Sequence, residues 1–178
     1  MVGYRRDLWE VAVGCHGVIT VASADDAGVP AVELRKLASR GALRSHGLGV
    51  YTHRDVPATP FTQPAIAVAL AGEGAFLERE SVLHLHDLGQ FNPRKIRVGT
   101  RRRVRRTLPE WMDLEYRPDI ADEDLADCQG VPATTVERAL KDMERRMPPD
   151  RWTVIVEQAR QRGLLQGVGG VARRMELA

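Results

Sequence analysis

Apolar positions in the first third of the chain follow the period of a helix. Leu34, Leu37 and Ala38 recur at spacings of three and four residues, which predicts a helix from Pro30 to Arg40 with one buried face. A shorter helix is predicted just before it, from Val21 to Ala27. The pattern therefore indicates two consecutive helices joined by a very short connection.

The residues that flank these helices are typical of helix ends and turns. The hydroxyl group of Thr20 can cap the first helix, and Gly28 can end it, because glycine tolerates a left-handed backbone. Pro30 has the fixed φ that suits the first turn of the next helix. Another helix, from Asp7 to Val13, is predicted upstream, and we expect it to support the pair.

Extended segments surround the helical pair. A short strand is predicted at Val18 and Ile19, and two more at residues 42–45 and 50–52, joined by turn residues at 46–49. Helix, tight turn, basic helix and hairpin, in this order, predict a winged helix-turn-helix, which is a DNA-reading unit. The alternative interpretation is a generic helical hairpin followed by a β-turn.

In the winged-helix interpretation, the helix from Pro30 to Arg40 enters the major groove with its N-terminal residues nearest the bases. The hairpin then reaches phosphates or the adjacent minor groove, and two arginines before the first helix add phosphate contacts. The residues predicted to contact DNA are Ala31, Val32, Arg35, Lys36, Ser39, Arg40, Arg44, His46, Arg5 and Arg6.

A proline-rich segment from Thr52 to Pro64 predicts a linker, which divides the chain into residues 1–55 and 61–178. The second part alternates helical and extended patterns, and the fold class expected for the whole chain is α+β. The predicted elements are helices at Pro64–Ala71 and Glu78–Leu88, strands at Lys95–Val98, Val104–Leu108 and Asp113–Tyr116, a helix capped by Thr134 and Glu137, and a helix from Asp150 to Gly163. The tail from Leu164 to Ala178 is predicted to form a short helix at most.

Composition limits the function classes. The 178 residues are 43% hydrophobic and carry a formal net charge of only +2, so nucleic-acid binding has to depend on local clusters of charge. The two cysteines, Cys15 and Cys128, form neither a disulfide framework nor a metal-binding pair. Without a secretory signal or a membrane-spanning apolar stretch, the expected location is the cytoplasm.

Six residues near the middle of the chain include five arginines and no acid. On the predicted strand, alternate arginines would lie on opposite faces. Three interpretations stay open: a solvated segment whose charges pair with Glu110, Asp113 and Glu115, a phosphate-contacting patch, or a docking surface for an acidic partner. The arginines concerned are Arg101, Arg102, Arg103, Arg105 and Arg106.

Signals for catalysis are weak. His84 and His86 would share a face only on a strand, and their surroundings predict a helix, which argues against a zinc site. Ser81 and Asp87 lack a nucleophile elbow, and the glycines at 167–170 lack the features of a phosphate loop. After Arg117, no pair of acidic residues is followed by a lysine at the spacing typical of a nuclease site, which argues against a nuclease. The sequence therefore predicts no enzyme, no cofactor and no metal.

Four segments together resemble a known family. They are GVITVASADDAGVPAVELRKLASRGALRSHGLGVY, RESVLHLHDL, IRVGTRRRVRR and GVPATTVERALKDM, and with them the likeness extends to about Gly163. In this order they resemble the AbiEi-type antitoxins of type IV toxin-antitoxin systems. The resemblance implies an N-terminal winged helix that binds repeats in its own promoter, and a C-terminal domain involved in neutralising a nucleotidyltransferase toxin.

The prediction is therefore a cytoplasmic repressor that binds double-stranded DNA at its own promoter and neutralises a nucleotidyltransferase toxin. Two alternatives stay open: a stand-alone winged-helix regulator, and a protein-interaction module without a toxin. The sequence does not indicate whether the chain is a monomer or a dimer.

Overall fold

The computed structural model describes residues 3–165, which form seven α-helices and two β-sheets. The predicted α+β class is confirmed. The first group of elements comprises α1 (Gly3–Gly14), β1 (Val18–Thr20), α2 (Val21–Asp26), α3 (Ala31–Ser39), β2 (Leu43–Gly47) and β3 (Val50–His53). Each was predicted from local signals, with bounds that differ by a few residues at most.

The first three strands form an antiparallel sheet with the order β1-β3-β2. Val18 lies opposite Thr52, and Leu43 lies opposite His53, so β3 is the central strand. The helices α1, α2 and α3 pack with this sheet around a small core. The buried members of this core, here called the small core, are Leu8, Ala12, Ile19, Ala24, Val29, Leu34, Leu43 and Tyr51.

The second group of elements surrounds a five-stranded mixed sheet with the order β6-β5-β4-β8-β7. β4 is antiparallel to β5 and parallel to β8, while β5 and β6 are parallel. The elements are α4 (Thr62–Ala71), β4 (Ala75–Leu77), α5 (Glu80–Leu85), β5 (Ile96–Thr100), β6 (Met112–Tyr116), β7 (Leu125–Cys128), β8 (Val131–Thr134), α6 (Val136–Met143) and α7 (Pro149–Gln161).

A larger hydrophobic core, here called the large core, lies between this sheet and helices α4 to α7. It includes Val18 and Val50 of the three-stranded sheet, because α4 packs against β1, β2 and β3. The hydroxyl group of Thr62, in the first turn of α4, donates a hydrogen bond to the main-chain carbonyl of His16 at 2.8 Å. The proposed division into residues 1–55 and 61–178 stays a prediction.

One element predicted for the second group is wrong, and one is shorter than predicted. Residues 104–108 form no strand, and the backbone from 101 to 110 runs as a loop between β5 and β6. The helix predicted from Glu78 to Leu88 is limited to Glu80–Leu85, and the apolar residues before it form the buried strand β4. Arg79 separates the strand from the helix with a left-handed backbone, at φ 52°.

Two helix caps also differ from the prediction. The hydroxyl group of Thr135 accepts the hydrogen bond from Arg138 N at the start of α6, while Thr134 is the last residue of β8. Pro148 is the N-cap of α7. Asp150 lies in the first helical turn, where its negative charge interacts favourably with the helix dipole. The ending of α7 before Gly163 is confirmed.

The strands β7 and β8 were not predicted. They form a hairpin in which Cys128 lies opposite Val131, with Gln129 and Gly130 both at positive φ in the turn. Among residues 3–165, no helix has the length and apolar character needed to cross a membrane. The predictions for residues 166–178, including the glycines at 167–170, lie outside the described residues.

Candidate nucleic-acid interface

The position of α3 is fixed by the short connection from α2. Thr20 caps α2: its hydroxyl group accepts a hydrogen bond from Ser23 N at 3.0 Å, and Ser23 Oγ accepts one from Thr20 N at 2.9 Å. Gly28 then turns the chain at φ 74°, a backbone conformation that costs other residues steric strain. Val29 follows as a fully buried residue and anchors the turn in the small core.

The two faces of α3 differ sharply. Leu34 is fully buried in the small core, and Leu37 and Ala38 pack against that core. The opposite face is exposed along spacings of three, four and seven residues, which is the pattern of one outward-facing helical stripe. This outward stripe consists of Val32, Arg35, Lys36 and Ser39, with Arg40 beside it and Ala31 half-buried at the N-terminal end.

The cations of α3 are not equally available. The ammonium group of Lys36 pairs with the Glu33 carboxylate at 2.7 Å, one helical turn away. The side chains of Arg35 and Arg40 form no hydrogen bond or ion pair with any residue between 3 and 165. Two guanidinium groups therefore project from the helix without an internal partner. Ser39 donates its hydroxyl hydrogen to the Lys36 carbonyl at 2.8 Å.

The β2–β3 hairpin lies next to α3 and adds a further cation. Arg44 is exposed on β2 and has no ion pair within the described part of the chain. His46 is half-buried, and its Nε2 lies 2.9 Å from the hydroxyl oxygen of Thr52 on β3. Burial and the positive charge of Arg44 lower the pKa of His46, so this histidine is neutral at pH 7. Leu48 is 54% exposed at the tip of the hairpin.

The two arginines predicted to lie just before the first helix are inside α1, which begins at Gly3, and both are already paired. Arg5 donates a hydrogen bond to the Asp55 carboxylate at 2.5 Å, and Arg6 donates one to Glu10 at 3.3 Å. All four side chains are at least half exposed, so these ion pairs contribute little stability and can exchange for a phosphate. Arg35, Arg40 and Arg44 are therefore better placed to meet DNA than Arg5 and Arg6.

Three of the five arginines at 101–106 donate hydrogen bonds to other described residues, and the remaining two do not. Arg101 donates to Asp122 at 2.7 Å, Arg102 to the Glu73 carbonyl at 2.8 Å, and Arg106 to the Leu70 carbonyl at 3.0 Å. The guanidinium group of Arg103 lies over the Tyr116 ring at 4.7 Å. Arg105 is exposed without a contact of this kind to the described residues.

These contacts differ from the first of the three interpretations of the run, in which its charges pair with Glu110, Asp113 and Glu115. Asp113 and Glu115 lie on β6, next to β5, and bind other arginines instead. Arg97 donates to Asp113, and Arg79 forms a two-pronged contact with Glu115 at 2.5 and 2.7 Å. The expected division of the run into two strand faces is wrong as well, since the segment is a loop.

A buried group of charges that includes the residues directly after β4 and directly after β6 was missed by the sequence analysis. Three arginines, each less than 10% exposed, bind five carboxylates there. The signal in the sequence is the Glu-Arg-Glu that directly follows the apolar strand β4. This group, here called the arginine network, consists of Arg79, Arg117 and Arg138 with Glu78, Glu115, Asp119, Asp124 and Asp142.

Arg117 is the centre of the arginine network. It contacts Glu78, binds both carboxylate oxygens of Asp119 at 2.9 Å, and donates to Asp142 at 2.7 Å. Hydrogen bonds from Arg117 hold the pKa of Asp119 well below its usual range, whereas burial raises the pKa of Glu78. The network thus joins the ends of two strands to α6, and its closed geometry indicates a structural role.

The described residues do not bring together a metal site. Between residues 3 and 165, no group of three or more histidine, cysteine or acidic side chains has the arrangement of metal ligands. His84 is exposed on α5, and His86 is the C-cap of that helix, with Nε2 3.6 Å from the Cys128 sulfur. Burial raises the pKa of the Cys128 thiol and lowers the pKa of His86, which does not favour a reactive thiolate.

Comparison with known proteins gives no family assignment. No protein-family model matches the sequence, and no curated protein matches it at a significant level.

Proposed function

We propose that residues 1–55 form a winged helix-turn-helix domain and that the protein is a transcription regulator that binds duplex DNA at its own promoter. The element order α1-β1-α2-α3-β2-β3 and the sheet order β1-β3-β2 support this proposal, since they provide two helices at a tight turn followed by a hairpin. The single observation that carries it is the outward stripe of α3, with the unpaired guanidinium groups of Arg35 on the stripe and Arg40 beside it.

The geometry suggests a division of roles. Arg35, on the outward stripe, has the fork of donors that reads guanine in the major groove, and the apolar Val32 beside it suits a thymine methyl group. Arg40 and Arg44 flank the stripe and are assigned to phosphates. In the 101–106 run, only Arg103 and Arg105 have no carboxylate or carbonyl partner among the described residues, so they are the members available to a phosphate or an acidic partner.

Replacing Arg35 with alanine should weaken binding to the promoter by about 1–3 kcal/mol while leaving binding to unrelated duplex nearly unchanged. Fluorescence anisotropy with labelled promoter DNA and with a shuffled duplex measures both affinities. Arg145→Ala is the matched control, because Arg145 is an exposed arginine that follows α6. Equal and weak binding of both duplexes by the unaltered protein would contradict sequence-specific recognition.

The proposal includes antitoxin activity of the AbiEi type, which rests on the sequence resemblance. If a neighbouring reading frame encodes a nucleotidyltransferase, co-expression of the full chain should restore the growth that this enzyme blocks. Arg35→Ala separates the two activities: rescue by this variant indicates neutralisation that does not depend on repression. An unrelated neighbour would favour the alternative of a stand-alone regulator.

A further inference from the structure

An open cleft lies between α1 and the end of β3, within the first group of elements. Its volume is about 300 Å³, and its lining consists of Arg5, Arg6, Trp9, His53 and Asp55. This volume is at the lower end of the range that binds small molecules in proteins. The lining combines two guanidinium groups, one carboxylate, one indole ring and one imidazole ring. None of these residues belongs to the outward stripe of α3.

His53 provides a buried donor at this cleft. The ring is only 3% exposed, and its Nδ1 accepts a hydrogen bond from Asp55 N at 3.2 Å. Burial lowers the pKa of His53, so the neutral ring carries its hydrogen on Nε2. That Nε2 forms no hydrogen bond of normal geometry among the described residues, although the main chain of Arg5 is close enough to act as a weak acceptor and so opposes the effect of burial on the pKa. A buried donor without an acceptor is rare and destabilising, and it often marks the place of an absent ligand.

The other side of the cleft provides an aromatic surface and two cations. Arg5 and Arg6 precede Trp9 by four and three residues, so they lie one helical turn from the indole ring on the same side of α1. The Trp9 side chain is 43% exposed. Arg5 and Asp55 both line the cleft and form an ion pair with each other. Because both side chains are exposed, Arg5 can readily exchange this carboxylate for another anion.

We propose that this cleft binds a nucleoside monophosphate. The base stacks on Trp9, and the phosphate replaces Asp55 as the partner of Arg5 and Arg6. When Arg5 moves to the phosphate together with the main chain of the first turn of α1, the Nε2–H group of His53 becomes accessible and donates to a ligand oxygen. The ligand thus gives the buried His53 donor a well-formed hydrogen bond in place of its weak contact with the Arg5 main chain. This inference does not depend on the proposed DNA contacts of α3, and the test contains no DNA in its main arm.

The test is a titration of the full chain with adenosine monophosphate, followed by tryptophan fluorescence and by calorimetry. Trp9 is one of three tryptophans, and Trp9→Phe identifies the part of the signal that comes from the cleft. We expect saturable quenching that disappears in Trp9→Phe, and affinity about tenfold or more above that for inorganic phosphate, because only the nucleotide gains base stacking. Equal affinity for the two probes, or no heat and no quenching, would overturn the proposal.

Two pairs of variants separate binding from folding. Arg5→Ala should weaken adenosine monophosphate about tenfold, whereas Arg54→Ala, an exposed arginine beside Asp55 but outside the lining, should not. His53→Asn keeps an acceptor near Nδ1 and loses the Nε2 donor, while His53→Gln retains a donor near Nε2, so only the first should lose about tenfold in affinity. Circular dichroism confirms that each variant is folded.

A second arm distinguishes a free nucleotide from DNA. If a promoter duplex quenches Trp9 and adenosine monophosphate does not, the cleft is a backbone contact of DNA and the inference is overturned. Retention of adenosine monophosphate binding by Arg35→Ala, together with loss of promoter binding, supports two separate sites. Failure of promoter binding with intact nucleotide binding would contradict the proposed function alone.

Discussion

Replacing Arg117 with alanine should lower the free energy of unfolding by about 3–5 kcal/mol. Arg117 is 4% exposed and holds three carboxylates, of which the Glu78 carboxylate is fully buried. Its removal leaves a charge inside the protein without its main partner, and that costs more than the ion pair itself contributes. Urea denaturation followed by circular dichroism measures the effect.

Two further variants test this explanation. Glu78→Gln in the Arg117→Ala background removes the stranded charge, so it should recover part of the lost stability. Arg117→Lys keeps the charge but loses the two-pronged contact with Asp119, and it should fall between the unaltered protein and the alanine variant. A loss below about 1 kcal/mol for Arg117→Ala would show that the network is solvated and contributes as little as a surface ion pair.

The N-terminal elements could be predicted because their determinants are local. Thr20, Gly28 and Pro30 mark the ends of α2 and α3 within the sequence itself, and the apolar period of α3 identifies its buried face. None of these signals requires a distant residue. The outward stripe then follows directly from the helical period.

The loop at 101–110 could not be predicted for the opposite reason. Val104 and Leu108 with basic residues around them favour a strand, but arginines of this segment are held by separate parts of the chain. Arg101 reaches Asp122, Arg102 reaches Glu73, and Arg106 reaches the carboxyl end of α4. Contacts of this kind keep the backbone out of the sheet, and they depend on the tertiary structure alone.

The hairpin of β7 and β8 was missed for a third reason. Pro132 within β8 argues against a strand, and the acidic Asp127 of β7 argues against a buried one. The turn between them has positive φ at Gln129 and Gly130, the geometry that tight hairpins require. Glutamine is uncommon at a position with positive φ, so only Gly130 indicates the turn in the sequence.

Replacing Leu34 with alanine should lower the free energy of unfolding by about 2–5 kcal/mol. Leu34 is fully buried in the small core, and it is the one residue of α3 that the structure buries completely. The small core has only eight buried members, so a cavity at this position removes a large share of what holds α3 against the sheet. Promoter affinity should fall together with stability.

Val32→Ala provides the matched control on the same helix. Val32 is 46% exposed on the outward stripe, so its truncation should change the free energy of unfolding by less than about 0.5 kcal/mol. Promoter affinity should still fall, because the lost methyl groups face the bases in the proposed complex. Urea denaturation and fluorescence anisotropy on both variants give the two quantities. Large destabilisation by Val32→Ala, or none by Leu34→Ala, would mean that α3 presents the opposite face to solvent and would remove the basis for DNA recognition by the outward stripe.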